Sequence, residues 1–236
     1  MLKLITFPPA FGAPSMSPFG TKVMCLLNMS GAEWQVHYAG DTRKSPKKKL
    51  PVLKDGDKVI PDSNAIRVYL EQKLDFDFDA GLNAQQRATS YMLIKMLEEH
   101  TYFIGLVERW ASNENWQVMR AKMFENAPKW MEIVFANKIR KKMLAQAYAQ
   151  GMGRHSEPER LQRAKADMVV MRTVLGDQEF MFGDRPTAAD ATAVPFLATM
   201  AHMPAPTKIS THFAADKTLM DYVKRGKAAM YQGLKS

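Results

Sequence analysis

The chain opens with Leu2-Lys3-Leu4-Ile5-Thr6-Phe7, whose apolar positions alternate like those of a half-buried strand. A stretch of Pro, Gly and Ser follows, and Ser17-Pro18 then marks a helix start. Serine supplies a cap there, and proline fits the first helical position because the N–H it lacks would have no partner. Val23, Leu26 and Leu27 give that helix an apolar face, with an end near Gly31. Trp34-Gln35-Val36-His37-Tyr38 reads as a second strand, and the Lys-rich stretch 39–49 as a loop or short helix. Leu50-Pro51-Val52-Leu53 and Lys58-Val59-Ile60 flank Asp55-Gly56, a hairpin signal. Asp62-Ser63 opens a further helix in which Ile66, Tyr69 and Leu70 recur at helical spacing.

From Gln85 onward the period changes. The stretches 85–112, 114–150 and 157–175 show apolar spacings of three and four and contain no strand run. Strand, helix, strand, loop, two hairpin strands and helix describe a thioredoxin-like α/β domain over residues 1–75. An acidic linker follows at 76–84, with Asp75-Phe76-Asp77-Phe78-Asp79 at its start, and then an all-helical domain at 85–236.

Composition narrows the class. The 236 residues are 46% apolar and 24% charged, which excludes disordered, collagenous and coiled-coil chains. The net charge of +9 suggests nucleic acid or a membrane surface, but residues 1–80 hold 11 basic against 9 acidic groups, so the excess lies mostly in the helical part. No aromatic stacking platform or groove-reading helix accompanies it, and no nucleic-acid partner is expected. No apolar run is long enough to span a membrane, and no leader pattern stands at the start. The single Cys25 allows no internal disulfide and no Cys-rich zinc site, so a reducing, cytoplasmic setting without a metal is expected. The five histidines show no zinc-ligand spacing and no triad.

Three local features in the first domain bear on chemistry. Ser17 stands at a helix amino terminus, where backbone N–H groups and the dipole favour an anion such as a thiolate, although serine there also serves as a plain cap. Leu50-Pro51-Val52 places proline at a strand start. A cis bond would turn the Leu50 N–H and C=O outward toward an extended peptide ligand, and a trans bond would make it an ordinary strand opening. Asp62-Ser63 can receive an α-ammonium on the carboxylate and an α-carboxylate on the hydroxyl and exposed N–H groups, or can simply cap.

In order and spacing these features resemble the cytosolic glutathione transferase superfamily, and Ser17-Pro18-Phe19-Gly20 is similar to the Cys-Pro-Phe-Ala of its omega class with serine for cysteine. Arg185-Pro186-Thr187-Ala188-Ala189-Asp190-Ala191 is similar to a buried helix start of its C-terminal domains, with a capping box between Thr187 and Asp190. Ser15-Met16-Ser17-Pro18-Phe19, Gly81-Leu82 before Gln86-Arg87-Ala88, Met96-Leu97-Glu98-Glu99 with Arg109-Trp110, and Gly153-Arg154-His155-Ser156 resemble the metaxin-like, failed-axon-connections branch. The resemblance implies the glutathione transferase fold, glutathione as cosubstrate, a small apolar electrophile as second substrate, and a homodimer. Carried over by position, it implies Ser17 as the thiol activator, Leu50 and Pro51 as the backbone clamp, and Asp62 and Ser63 as the γ-glutamyl site. Gly20 departs from related chains that carry Cys, which puts disulfide reductase chemistry in doubt. A non-catalytic binding module on the same fold is the competing reading.

Around that core, Arg43-Lys44-Ser45-Pro46-Lys47-Lys48-Lys49 is either a solvated loop or the source, at Lys49, of a cation for the glycyl carboxylate. Phe11 and Met16, in the loop before Ser17, and Phe103 and Trp110, in the first long helix, are candidates to line the electrophile pocket. Cys25, two turns inside an apolar helix, reads as a buried and inert thiol.

Overall fold

A computed structural model describes residues 1–235. Four strands form one mixed sheet in the order β2-β1-β3-β4: β1 (Leu2–Thr6), β2 (Trp34–Tyr38), β3 (Val52–Asp55) and β4 (Lys58–Pro61). β2 runs parallel to β1, with Leu4 opposite Val36, while β3 and β4 are antiparallel neighbours. Leu2, Leu4 and Thr6 are buried and Lys3 and Ile5 only partly so, because successive side chains of a strand point to opposite faces. The hairpin turn is Gly56-Asp57, one residue later than the Asp55-Gly56 reading. Asp55 remains in β3 opposite Lys58, and Gly56 takes the positive φ of 56° that the turn needs.

Helices α1 (Pro18–Met29) and α2 (Ser63–Leu74) belong to this domain. In α1, every residue from Gly20 to Leu27 is buried. An amphipathic helix with one covered face would leave half of these in solvent. Here the helical domain covers the other side, through α8 (Ala188–Ala201), itself buried along most of its length. Each aliphatic side chain so enclosed contributes about 1.5–3 kcal/mol.

The linker is a structural joint. Phe78 and Asp79 are buried in it, and Asp79 accepts hydrogen bonds from Arg67 Nη2 of α2 (2.9 Å), from Ser90 Oγ (3.2 Å) and from the Ala188 N–H that opens α8 (3.1 Å). Beyond it run α3 (Ala84–Met96), a π-helical turn at Leu97–Thr101, α4 (Tyr102–Ala111), α5 (Asn113–Phe124), α6 (Lys129–Gln150), α7 (Glu157–Leu175), α8, α9 (Lys208–Ala214) and α10 (Lys217–Met230). Two boundaries differ from the periodicity reading. The stretch 114–150 breaks at 125–128, where Pro128 opens α6 in place of continuing α5, since a proline inside a helix loses one bond and clashes with the preceding turn. The stretch 85–112 contains the π turn, which apolar spacing does not signal. Among the described residues no helix is long and apolar enough to cross a membrane.

At α8 the carboxylate of Asp190 reaches back to the Thr187 N–H (2.8 Å), and the Thr187 hydroxyl donates to the same oxygen (2.7 Å). The other oxygen accepts from the Met181 N–H (2.9 Å) and Tyr222 OH (2.7 Å), so this residue ties the loop before α8 to α10.

Candidate functional site

Ser17 is the N-cap of α1, in extended conformation (φ −104°, ψ 126°), and its hydroxyl makes no capping bond. Its C=O accepts from the Gly20 and Thr21 N–H groups (3.0 and 3.2 Å), and Pro18 has no N–H to give. Among the described residues the Phe19 N–H and the Ser17 hydroxyl therefore remain as unspent donors where the helix dipole is positive. The neighbouring Ser15 is different: it is buried, shares a hydrogen bond with Thr6 Oγ1 (3.1 Å) and accepts the Ser17 N–H (3.2 Å). Gly20 makes this packing possible, because a Cβ there would fall well inside contact distance of Thr6 Oγ1 and 2.6 Å from Ser15 Oγ.

The Leu50–Pro51 peptide is cis. Among the described residues neither the N–H nor the C=O of Leu50 takes a protein partner, and the Pro51 C=O accepts the Asp62 N–H (3.4 Å), which sets the strand start beside the α2 entry. Asp62 has a φ of 85°, in the region that favours glycine, a conformation that costs of order 1–3 kcal/mol. From it, Oδ1 accepts the Asn64 and Ala65 N–H groups (2.9 and 3.2 Å), and among the described residues Oδ2 has no partner. Ser63 is buried, and neither its N–H nor its hydroxyl has a partner among the described residues. Lys49 is exposed and makes no ion pair among the described residues, whereas Arg43 in the same loop is held by Asp41 (2.9 Å).

Four further residues join this site to the helical domain. Lys22, wholly buried in α1, donates to Asn64 Oδ1 at the α2 entry (2.7 Å) and to Glu98 Oε1 of the π turn (2.6 Å). The Asn64 amide donates to the other Glu98 oxygen (2.7 Å). Burial holds the Lys22 ammonium below its ordinary range, with Glu98 opposing the shift. Arg109 of α4 reaches in the other direction and donates through Nη1 to the Met16 C=O (3.1 Å), one residue before Ser17. Lys22 had a visible signal, as the one charge in an otherwise uncharged, largely apolar helix. Asn64 follows the Asp62-Ser63 pair, and Glu98 and Arg109 lie in stretches that carry the finer resemblance, but spacing alone gives none of them a role.

A narrow cleft lies between the loop before Ser17, α4 and the ends of α8 and α10. Phe11, Met16, Arg109, Ala198, His202 and Lys227 are among its walls. Phe103 and Trp110 are not. Phe103 packs edge-on against Tyr102 with ring centres 5.2 Å apart, and Trp110 turns into the helical core against Trp116, 5.6 Å away, so the residue that α4 sends to the cleft is Arg109. Cys25 is wholly buried, and desolvation pushes its thiol far above its ordinary range, which removes it as a nucleophile. Among the described residues no three His, Cys, Asp or Glu side chains come together as a metal site.

Comparison with known proteins shows the family of this fold. Residues 18–115 match the glutathione S-transferase N-terminal domain, and residues 164–226 the glutathione S-transferase C-terminal domain. The isoprene-epoxide glutathione S-transferase of Rhodococcus sp. (strain AD45) is 31% identical over 95% of this chain and 97% of its own length. Failed axon connections of Drosophila melanogaster is 28% identical over 80% of this chain and 48% of that protein, and metaxin-1 of Mus musculus is 25% identical over 94% and 72%. In fold the chain is similar to the beta-etherase of Sphingobium sp. strain SYK-6 (TM-score 0.63, 16% identity, 96% and 95% covered) and to glutathione S-transferase III in its apo form (TM-score 0.62, 17% identity, 100% and 97% covered). Matches to both domain models, together with a relative similar over nearly its whole length, place the chain in the glutathione transferase superfamily, in the branch that holds metaxin-1 and failed axon connections.

Proposed function

We propose that the protein is a glutathione transferase that activates the glutathione thiol for attack on a small electrophile. The observation that carries this reading is the set of unspent polar groups along one run of the first domain: the Ser17 hydroxyl and Phe19 N–H, the Leu50 N–H and C=O, the free Asp62 oxygen, and the Ser63 N–H and hydroxyl. Groups left unpaired at partly buried positions favour a ligand that pairs with them. In this reading Asp62 takes the γ-glutamyl ammonium, Ser63 its carboxylate, Leu50 the cysteinyl backbone beside Pro51, and Lys49 the glycyl carboxylate. The sulfur then lies at the α1 amino terminus, where Ser17 donates to it.

A thiolate so held is more populated at neutral pH, each unit of lowered thiol pKa corresponding to about 1.4 kcal/mol. The name of the Rhodococcus relative supports a small epoxide as the electrophile. In that reaction the sulfur forms a bond to an epoxide carbon, the C–O bond breaks, and the oxygen leaves with the electron pair and takes a proton from water. The homodimer is part of the proposal, since Val68 of α2 and Tyr91 and Met92 of α3 are exposed apolar side chains of the kind an interface covers.

Calorimetric titration with glutathione and conjugation of 1,2-epoxybutane test the reading. Ser17→Ala should keep binding within a few-fold and lose about 100- to 1,000-fold in kcat/KM, the scale of one lost donor to developing charge. Full activity in Ser17→Ala would overturn the thiolate role. Binding without turnover of any electrophile would favour the binding module, a reading that the metaxin-1 and failed axon connections kinship keeps in view.

A further inference from the structure

The cleft beside Ser17 has an unusual balance of charge. Among the described residues Arg109, Lys227 and His202 line it and no carboxylate does. Arg109 makes one hydrogen bond, to the Met16 C=O, and no ion pair among the described residues, which leaves the rest of its guanidinium fork unspent. Lys227 of α10 is half buried, and among the described residues its ammonium has neither hydrogen bond nor ion pair. His202, at the end of α8, places Nδ1 against the Ala198 C=O (3.0 Å), so that its other nitrogen is available. Burial lowers the pKa of both Arg109 and Lys227, the mark of cations that have lost water without gaining an anion.

Elsewhere this chain matches its buried cations. Lys22 has Glu98 (2.6 Å) and Arg160 has Glu108 (2.8 Å). Desolvated charges are normally paired, so two unmatched cations on one cleft point to an anion that arrives with a ligand. Phe11, Met16 and Ala198 add apolar surface to the wall, beside the hydroxyl-bearing Thr199. The groups assigned to glutathione lie at the starts of α1, β3 and α2, and the cleft takes in Met16, the residue before Ser17, so that a second substrate held there would lie beside the loop that carries Ser17.

We propose that the second substrate is a small electrophile that carries a carboxylate, with Arg109 and Lys227 as its anion-binding residues and His202 at the rim. This rests on the glutathione transferase reading above and narrows its electrophile. For an epoxide acid the balance is that of any epoxide: the thiolate sulfur bonds to the unsubstituted ring carbon, the C–O bond breaks, and water protonates the oxygen. The carboxylate is unchanged and serves as the handle.

The test compares glycidate with its neutral isostere glycidamide, each kcat/KM divided by the uncatalysed rate with free glutathione. The wild type should favour glycidate at least about tenfold, equivalent to 1.4 kcal/mol. Arg109→Met should bring the ratio to about one, Lys227→Met should lower it several-fold, and Arg109→Lys, which keeps the charge, should restore most of it. A wild-type ratio of one or less, or a ratio unmoved in both Met variants, overturns the proposal. A parallel NMR titration with 4-nitrobenzoate and 4-nitrobenzamide needs no glutathione and separates the two readings. If glutathione does not bind, selective binding of the benzoate that is lost in Arg109→Met still upholds the anion site, and equal binding of both probes overturns it.

Discussion

The Lys22, Asn64 and Glu98 cluster makes a measurable claim about how the two domains are held together. Lys22 has no exposed surface and Glu98 almost none, so solvent does not screen their 2.6 Å contact. Glu98→Gln keeps the shape and removes the charge, leaving a buried ammonium with no anion, a loss of about 3–5 kcal/mol. Lys22→Met should cost less, about 2–3 kcal/mol, because Glu98 keeps the Asn64 amide and has Lys95 at 3.6 Å, whose side chain is partly exposed. For a chain of this size each kcal/mol moves Tm by about 2–4 °C, so Glu98→Gln should melt about 6–20 °C below the wild type. The double variant should be less destabilised than the sum of the two, by about 1–3 kcal/mol, since neither orphan charge remains. Thermal and urea unfolding of the four proteins read this directly. The reasoning has a second readout, because Asn64 follows Ser63 on the first turn of α2. Releasing it should raise the KM for glutathione more than it lowers kcat. A Glu98→Gln cost below about 1 kcal/mol, or strict additivity in the double variant, would refute the buried-pair account.

Two further outcomes follow from the caps. Asp190→Ala leaves the buried Met181 and Thr187 N–H groups and the Tyr222 and Thr187 hydroxyls without their acceptor, a cost of about 3–5 kcal/mol or more that denaturant unfolding should show, with Asp190→Asn intermediate because it keeps one carbonyl oxygen. At α7 the carboxylate of Glu159 accepts the Ser156 hydroxyl and N–H (2.7 and 2.8 Å), and these bonds, the hydroxyl first, hold it below its ordinary value near 4.5. A carboxyl depressed on folding stabilises above its unfolded value and loses that contribution as pH falls through the folded one. The wild type should therefore melt above Glu159→Gln at pH 7, and the difference should shrink as pH falls below about 4.5 and close once the carboxyl is protonated in the folded state; a difference that stays constant into strong acid would exclude the linkage.

How far the sequence reaches depends on whether a feature is local. Strand alternation at Leu2–Thr6, the Ser17-Pro18 start and the Asp62-Ser63 start are set by residues within a turn of one another, and the elements follow them. The π turn at Leu97–Thr101 and the break before Pro128 are less visible, because apolar spacing continues through both. The contacts that complete the site are long-range: Lys22 meets Glu98 across 76 positions, and Met16 meets Arg109 across 93. Such pairs are decided by how the helical domain seats on α1, which no local pattern encodes. Trp110 and Arg109 show the cost of ignoring helix phase. They are adjacent in sequence, yet one closes the helical core against Trp116 and the other turns to the cleft, as neighbours 100° apart on a helix must.

The same packing decides where a reactive sulfur can come from. At Gly20 no Cβ fits between Thr6 and Ser15, so the position three residues after Ser17 can hold no second thiol without displacing the hydroxyl that receives the Ser17 N–H. Cys25, two turns further along α1, is sealed in the core with its thiol driven far above neutral pH. Among the described residues the Ser17 hydroxyl and the Phe19 N–H are unspent donors at the positive end of α1, and both suit an acceptor that carries negative charge. A helix that places two donors at its amino terminus, has no room for a cysteine at position 20 and buries the one it has supports the proposal that the thiolate comes from another molecule and not from this chain.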